Sequence, residues 1–242
     1  MTPRRVPFLA TACVLSIGTS TQSGEAIPGA RTAVISEWPA VVQIGDCSGA
    51  IIHPSLVVVP AHCLAQGYPE EVNWYSHRGA RIKSAPIRHC WVHPEYPNKV
   101  PEFDIGVCSL VSPTGNSDVA LIGDVKSNAK HGQPQLTKVV GYGDLRAYPR
   151  IPKVSNGRVI QMPTAFTMSV GTGRNPACFG DSGSGVYAHA ESGRYALLGL
   201  ISGPESGTCR GRAIAVRIQP HLDWLEATTG MKIERQFRHD KQ

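Results

Sequence analysis

Short apolar runs, broken by glycine, proline and polar residues, recur along most of the chain. In the first half, residues 39–44 and 50–52 form two such runs with a turn at Gly45 and Asp46 between them, and Leu56–Val59 forms a third. Pro60 follows the third run, and proline has no N–H to donate to a strand ladder. The pattern predicts three short strands, the last of which passes the chain to a turn that carries His62.

The second half repeats this pattern after a polar, turn-rich connection at residues 112–118. Strands are predicted at residues 136–142, 157–161, 165–170, 185–188, 195–201 and 212–218. A single helix is predicted at residues 220–229, where Gly230 stops it. These elements divide the chain into a segment at 27–122, a segment at 123–230 and a tail at 231–242.

Composition supports an all-β protein. The 242 residues are 41% hydrophobic and 17% charged, which suits one compact unit or two small, tightly packed ones. Glycine at 25 and proline at 19 favour turns over long helices. The net charge of +6 is spread thinly and is densest in the tail. Such a tail could touch nucleic acid or anionic lipid, but a solvated extension explains it as well, so neither partner is predicted.

The N-terminus has the pattern of an export signal. Arg4 and Arg5 precede an apolar run from Val6 to Gly18, and a polar stretch then ends at Ala26. The run is too short to span a bilayer. A cleaved signal peptide at residues 1–26 and a secreted protein, extracellular or periplasmic, are therefore predicted; the alternative is a buried N-terminal strand.

The cysteine count agrees with export. The chain has seven cysteines, and removal of Cys13 with the signal leaves six. An even number in an exported protein fits three disulfides, although six cysteines allow fifteen pairings.

A candidate nucleophile lies near the C-terminal end, where Ser182 follows an aspartate and stands between glycines in Cys178-Phe179-Gly180-Asp181-Ser182-Gly183-Ser184-Gly185. A serine hydroxyl attacks weakly unless a neighbouring base takes its proton. His62, beside a cysteine, is a candidate base, and Asp104, framed by apolar residues, is a candidate orienting acid. Each residue alone has an ordinary structural explanation, whereas the three together predict nucleophilic catalysis.

The order His62, Asp104, Ser182 resembles that of the trypsin and chymotrypsin family of serine peptidases. Four further motifs resemble the family in the same order: Cys47-Ser48-Gly49-Ala50, Gly141-Tyr142-Gly143, Leu200-Ile201-Ser202-Gly203 and Asp223-Trp224-Leu225. The resemblance implies two antiparallel six-stranded β-barrels, with the active site between them and a C-terminal helix. It also implies protein or peptide substrates, a protein inhibitor as a further partner, a monomer and no cofactor.

The resemblance assigns roles to further residues. The N–H groups of Gly180 and Ser182 would bind the oxyanion, and Ser202 would hydrogen-bond Asp104. The amine of Ile27, once freed, would pair with Asp181. Two disulfides are implied, Cys47–Cys63 and Cys178–Cys209. Cys90 and Cys108 remain, on stretches that the family places on neighbouring strands; they form either a third disulfide or two buried thiols.

The specificity pocket is assigned by the same resemblance. Pro176 stands where trypsin-like members have an aspartate, with Ala177 beside it. Pro204 and Ala213 fall near positions where deep pockets keep glycines. A small or medium apolar residue before the scissile bond is therefore expected. If cleavage instead followed lysine or arginine, a carboxylate elsewhere, such as Glu205, would have to reach the site.

Metal sites are not predicted. His89 and His93 have the i, i+4 spacing of a metal pair, with Cys90 close by, but His93 begins a stretch that resembles a frequent loop of the family. Glu70 and Glu71 suggest calcium, but the loop after His62 looks shortened relative to calcium-binding members.

The leading functional prediction is a secreted serine endopeptidase. A catalytically silent homologue that binds a partner through the same cleft is the alternative, although no triad residue is lost. A basic binding module that uses the tail rests on charge alone.

Overall fold

The computed structural model describes residues 30–65, 67–126, 133–143, 150–171, 180–207 and 211–235. The strands of the first half are β1 (Arg31–Thr32), β2 (Val41–Ile44), β3 (Cys47–His53), β4 (Leu56–Val59), β5 (Glu71–Tyr75), β6 (Arg81–Val92) and β7 (Gly106–Leu110). Strands β2 to β7 close into an antiparallel barrel in the order β2-β3-β4-β7-β6-β5. This is the first barrel.

The second half forms another closed sheet. Its elements are β8 (Leu121–Ile122), β9 (Gln135–Gly141), β10 (Lys153–Gln161), β11 (Thr167–Gly171), β12 (Gly185–His189), β13 (Tyr195–Pro204), β14 (Ala213–Arg217) and helix α1 (Leu222–Thr229). The order is β10-β11-β14-β13-β12-β9, and pairing of β9 with β10 closes this second barrel. Two six-stranded antiparallel barrels and a C-terminal helix confirm the fold class.

Hydrophobic patterning explains which strands were found from sequence. Strand β4 has the predicted bounds because all four of its residues are apolar and buried. Strand β6 was missed at its N-terminal end, since its first four residues are exposed and include arginine and lysine. Strand β13 runs on to Pro204, past its predicted end at Ile201. Its extension pairs with β14, where Pro204 lies opposite Ala213.

The helix differs from its prediction at one end. Residues Gln219–His221 form a 3-10 turn, and α1 begins at Leu222. Gly230 ends it, as predicted, in a left-handed conformation with φ 70°. The next residues are not a solvated extension, because Ile233 is buried and donates its N–H to Glu226 Oε1 at 2.9 Å. No helix among the described residues is long and apolar enough to cross a membrane.

The two halves exchange contacts. Strand β1, from the start of the chain, pairs with β10 of the second barrel, Arg31 lying opposite Val154. Conversely, His221, just before α1, contacts Glu102 in the first half. Each half therefore supports the other.

Two predicted disulfides lie within the described residues, and both are present. Cys47 and Cys63 are joined, as are Cys90 and Cys108, which excludes two free thiols at the second pair. Such bonds fit an oxidising, extracellular environment. Several further predictions fall outside the described residues: the signal peptide, Ile27, Pro176, Ala177, the Cys178–Cys209 disulfide and the end of the tail.

Candidate active site

His62 lies in a 3-10 turn, Ala61–Cys63, that begins directly after β4. The disulfide from Cys63 to Cys47 ties this turn to β3. The backbone N–H of His62 donates to Asp104 Oδ1 at 2.9 Å, and the ring Nδ1 lies 2.7 Å from Asp104 Oδ2. One carboxylate therefore fixes both the backbone and the ring of the histidine.

Asp104 is buried, with 1% of its side chain exposed, whereas His62 is 34% exposed. A buried carboxylate is costly unless it is hydrogen-bonded. A third donor, the hydroxyl of Ser202 on β13, also reaches Oδ2. Because the Asp104 carboxylate accepts a hydrogen bond from Nδ1, the ring carries its proton on Nδ1. The lone pair of Nε2 is then available to accept a second proton.

Ser182 lies in the turn before β12, and main-chain bonds hold this turn. Its carbonyl accepts the N–H of Ser48 on β3 at 2.9 Å. Gly183 N–H donates to Ile201 O at 2.8 Å, and Ser184 N–H donates to Asp181 O at 2.9 Å. This turn, called the nucleophile turn because it carries the candidate nucleophile Ser182, is therefore bonded to both barrels.

Among the described residues, no hydrogen bond joins Ser182 Oγ to His62. The ring Nε2 instead lies 3.4 Å from Sγ of Cys63, a disulfide sulfur that carries no hydrogen. Hydrogen bonds between a nucleophile and its base are often long or poorly aligned without substrate. Within the described ranges, Nε2 therefore has no proton donor as a partner.

Gly183 is required by the geometry of the nucleophile turn. Its φ of +79° is strained for other residues, and a Cβ at this position would lie 1.8 Å from the carbonyl oxygen of Ser48. Gly180 also has a positive φ, of 97°. The turn can therefore approach β3 only because position 183 has no side chain.

A side-chain contact that sequence reasoning missed joins the two barrels next to this turn. The hydroxyl of Ser48 accepts the N–H of Tyr142 at 2.9 Å, and the Tyr142 hydroxyl accepts the N–H of Tyr75 at 3.2 Å. Burial raises the pKa of Tyr142, so its hydroxyl stays protonated. Ser48 was quoted only as part of a strand motif, and nothing in its neighbours along the chain reveals the contact.

Asp181 is completely buried, directly before Ser182. This burial suits a carboxylate that balances an internal positive charge. Its predicted partner, Ile27, lies outside the described residues.

A cavity of about 460 Å³ adjoins Ser202. It is lined by Gly203, Pro204 and Glu205 on one side and by Val100, Pro101 and Glu102 on the other. Ala213 is fully buried and pairs with Pro204 across β13 and β14. The Glu205 carboxylate accepts a hydrogen bond from the buried hydroxyl of Ser169.

The two histidines considered for a metal lie in different environments. His89 is exposed at the surface of β6, whereas His93 is buried beyond its end and packs on Trp224. The one potential ligand group within the described part of the chain is Cys47, His62 and Cys63, and both its sulfurs are committed to a disulfide. Glu71, considered for calcium, pairs instead with Arg81 at 2.8 Å.

Two closed barrels, with a histidine and a buried aspartate from one and a serine in a glycine-rich turn from the other, define a chymotrypsin-fold protein. The family model described as Trypsin matches residues 27–225, and the chain belongs to the trypsin family.

Similar curated proteins are named as a trypsin, a transmembrane serine protease and a fibrinogenase. "Trypsin" of Saccharopolyspora erythraea is 26% identical over 128 residues, which cover 49% of this chain and 56% of that protein. Transmembrane protease serine 11C of Mus musculus is 24% identical, across 86% of this chain and 54% of its own length. Alpha-fibrinogenase albofibrase of Trimeresurus albolabris is 23% identical, across 92% of this chain and 94% of its own length. The chain thus spans about half the length of the first two.

Proposed function

We propose that this protein is a secreted serine endopeptidase that cleaves peptide bonds through an acyl-enzyme on Ser182. The observation that carries the proposal is the buried Asp104 carboxylate, bonded to both the backbone and Nδ1 of His62. This bond orients the imidazole and stabilises its protonated form, which is the requirement for a general base of this type.

Catalysis proceeds in two steps. Ser182 Oγ attacks the substrate carbonyl while His62 Nε2 takes its proton, then returns the proton to the leaving amine as the peptide C–N bond breaks. Water, deprotonated by the same nitrogen, hydrolyses the resulting ester and restores Ser182. The N–H groups of Gly180 and Ser182 hold the negative oxygen in both steps, and loss of one such donor typically costs about 10²–10³ in rate.

The active form begins at Ile27. The amine freed there pairs with the buried Asp181 and orders the oxyanion turn that follows it. Gly24 and Ala26 suit signal peptidase, so export itself releases this amine. N-terminal sequencing of secreted, fully active protein checks this, and a start well before Ile27 contradicts it.

Specificity favours a small or medium apolar residue before the scissile bond. Pro176 provides no carboxylate at the pocket floor, and Ala177, Pro204 and Ala213 narrow the walls. One methylene in such a pocket changes selectivity by only about 1–3 kcal/mol, so the preference is graded. Cleavage of a peptide library tests it, and dominant cutting after lysine or arginine contradicts it.

The second candidate is a catalytically silent homologue that binds proteins through the cleft. It is favoured by one observation, namely that His62 Nε2 contacts Cys63 Sγ and makes no hydrogen bond to Ser182.

Labelling with a fluorophosphonate separates the two candidates, since only an activated serine reacts. The wild type should be labelled. A Ser36→Ala control, which makes the same serine-to-alanine change at an exposed position, should be labelled as well. Ser182→Ala should not label while keeping the thermal midpoint of the wild type. A folded wild-type protein with an N-terminus at Ile27 that does not label would support the binding protein.

A further inference from the structure

Five aromatic rings cluster behind the loop that carries Asp104. His93 lies 4.6 Å from both Phe103 and Trp224, measured between ring centroids, and Phe103 lies 4.9 Å from Phe166. His221 faces three of them, at 5.3 Å from His93 and Phe166 and 5.5 Å from Phe103. The cluster thus joins the C-terminal helix to the residue directly before the catalytic aspartate.

His221 also makes a directed bond to the same loop. Its Nε2 lies 3.0 Å from the carbonyl oxygen of Glu102, two residues before Asp104. A carbonyl only accepts, so Nε2 carries the proton and donates it. This bond restrains a turn in which Phe103 N–H donates to Lys99 O at 3.0 Å and Asp104 N–H reaches Pro101 O at 3.3 Å.

The surroundings keep this histidine neutral. His221 is 2% exposed, and its pKa is lowered to about 4, mainly by burial. The charged and titratable groups that act on it, His93 and Arg217, contribute to this lowering of the pKa, whereas the hydrogen bond to the Glu102 carbonyl opposes it. Burial also lowers the pKa of His93, opposed by Glu95. Near neutral pH, His221 therefore presents one donor, at Nε2, to the Glu102 carbonyl.

We propose that His221 is a positioning residue for Asp104: its Nε2–H holds the Glu102 carbonyl and thereby sets where the Asp104 carboxylate meets His62. The inference rests on the proposed peptidase function. The consequence is that the last helical segment of the second half fixes a catalytic group of the first.

Two substitutions separate the hydrogen bond from ring packing. His221→Phe keeps the ring and removes the donor, whereas His221→Gln keeps a donor at a similar distance along the side chain and removes the ring. Loss of one buried hydrogen bond that aligns the aspartate should lower kcat about 10-fold in His221→Phe, with KM changed less than about 2-fold. His221→Gln should retain at least about one third of the wild-type kcat, because the donor is restored.

Thermal midpoints and a control variant make each outcome decisive. His189→Phe removes an exposed histidine that packs on Tyr195 at the end of β12 opposite to the Ser182 turn, and should keep the wild-type kcat. If His221→Phe matches the wild type, or if His221→Gln loses as much kcat as His221→Phe, the bond does not position Asp104 and the inference is wrong. A wild-type protein that hydrolyses no peptide and takes no fluorophosphonate would instead refute the proposed function.

Discussion

The two halves of the candidate site are held in different ways. In the first barrel, His62 is fixed by bonds to the buried carboxylate of Asp104. The hydroxyl of Ser202 is a third donor to the same carboxylate. Ser182, from the second barrel, is fixed by main-chain bonds, and its turn fits against Ser48 only because Gly183 lacks a side chain.

This difference predicts how each half tolerates change. A side-chain bond is lost by an isosteric substitution that leaves the fold intact, so chemistry suffers and stability changes little. A main-chain arrangement is lost only by a substitution that distorts the backbone, so activity and stability fall together. The following variants test that contrast.

The largest effect is expected for the residues that react. Ser182→Ala and His62→Ala should each lower kcat by about 10⁶, because members of a triad act as a unit. The double variant should be no worse than either single variant. Peptide hydrolysis and thermal unfolding measure the two effects, and a single variant with more than about a tenth of wild-type turnover would refute the mechanism.

Asp104→Asn should have the next largest effect. The amide preserves the shape of the side chain but neither fixes the required tautomer nor stabilises the imidazolium, so kcat should fall by about 10⁴. Ser202→Ala is the matched control, since it removes one donor to the same carboxylate. A smaller loss in Asp104→Asn than in Ser202→Ala would contradict the assigned roles.

Gly183→Ala tests the main-chain half. The new Cβ would meet the Ser48 carbonyl oxygen at 1.8 Å in a strained conformation, so both activity and stability should fall, the free energy of unfolding by about 3 kcal/mol or more. Gly193→Ala is the control, because that glycine also has a positive φ but no atom within 4 Å of its added Cβ. Equal effects at both positions would show that backbone strain alone, without the contact to Ser48, accounts for the loss.

The buried histidine gives a pH dependence of stability. The pKa of His221 is about 4 in the folded protein, below the ordinary value of 6.5, so the unfolded chain binds more protons between these values. The free energy of unfolding should therefore fall as the pH is lowered from about 6.5 to 4. This residue accounts for at most about 3 kcal/mol of the fall. Denaturant unfolding at several pH values measures it. His221→Phe should show a shallower fall, and an unchanged slope would contradict the assignment.

Ser48→Ala should have the smallest effect. It leaves the N–H of Tyr142 without its acceptor, at a cost of about 1–3 kcal/mol in the free energy of unfolding. Tyr142→Phe removes another bond between the barrels, the one to Tyr75, without touching Ser48. If the Ser48 bond supports the nucleophile turn, kcat should fall more in Ser48→Ala than in Tyr142→Phe. Equal losses of kcat would mean that both bonds only dock the barrels.

Sequence predicts the parts of this molecule that are local. The strand at Leu56–Val59, its end at Pro60 and the stop at Gly230 depend on neighbouring residues, so apolar runs and turn residues identified them. The Cys47–Cys63 pairing came from resemblance, and Cys90 and Cys108 were the pair that remained on stretches which the family places on neighbouring strands. The three triad candidates came from residue types, and resemblance assigned their roles, since order along the chain carries no distance. Ser48 and His221 were missed because each acts through a bond to a main-chain group far away in sequence, and no local pattern marks such a contact.

The exchange of contacts between the halves bears on how the protein is made. Strand β1 leaves the ribosome early but pairs with β10, which is synthesised much later. The contact of His221 with the Glu102 carbonyl forms only when nearly the whole chain is available. A nascent first half therefore already contains His62 and Asp104. It still lacks strand β10, with which β1 pairs, and the bond from His221 to the Glu102 carbonyl. Assembly order alone therefore completes the candidate site only when synthesis is almost finished.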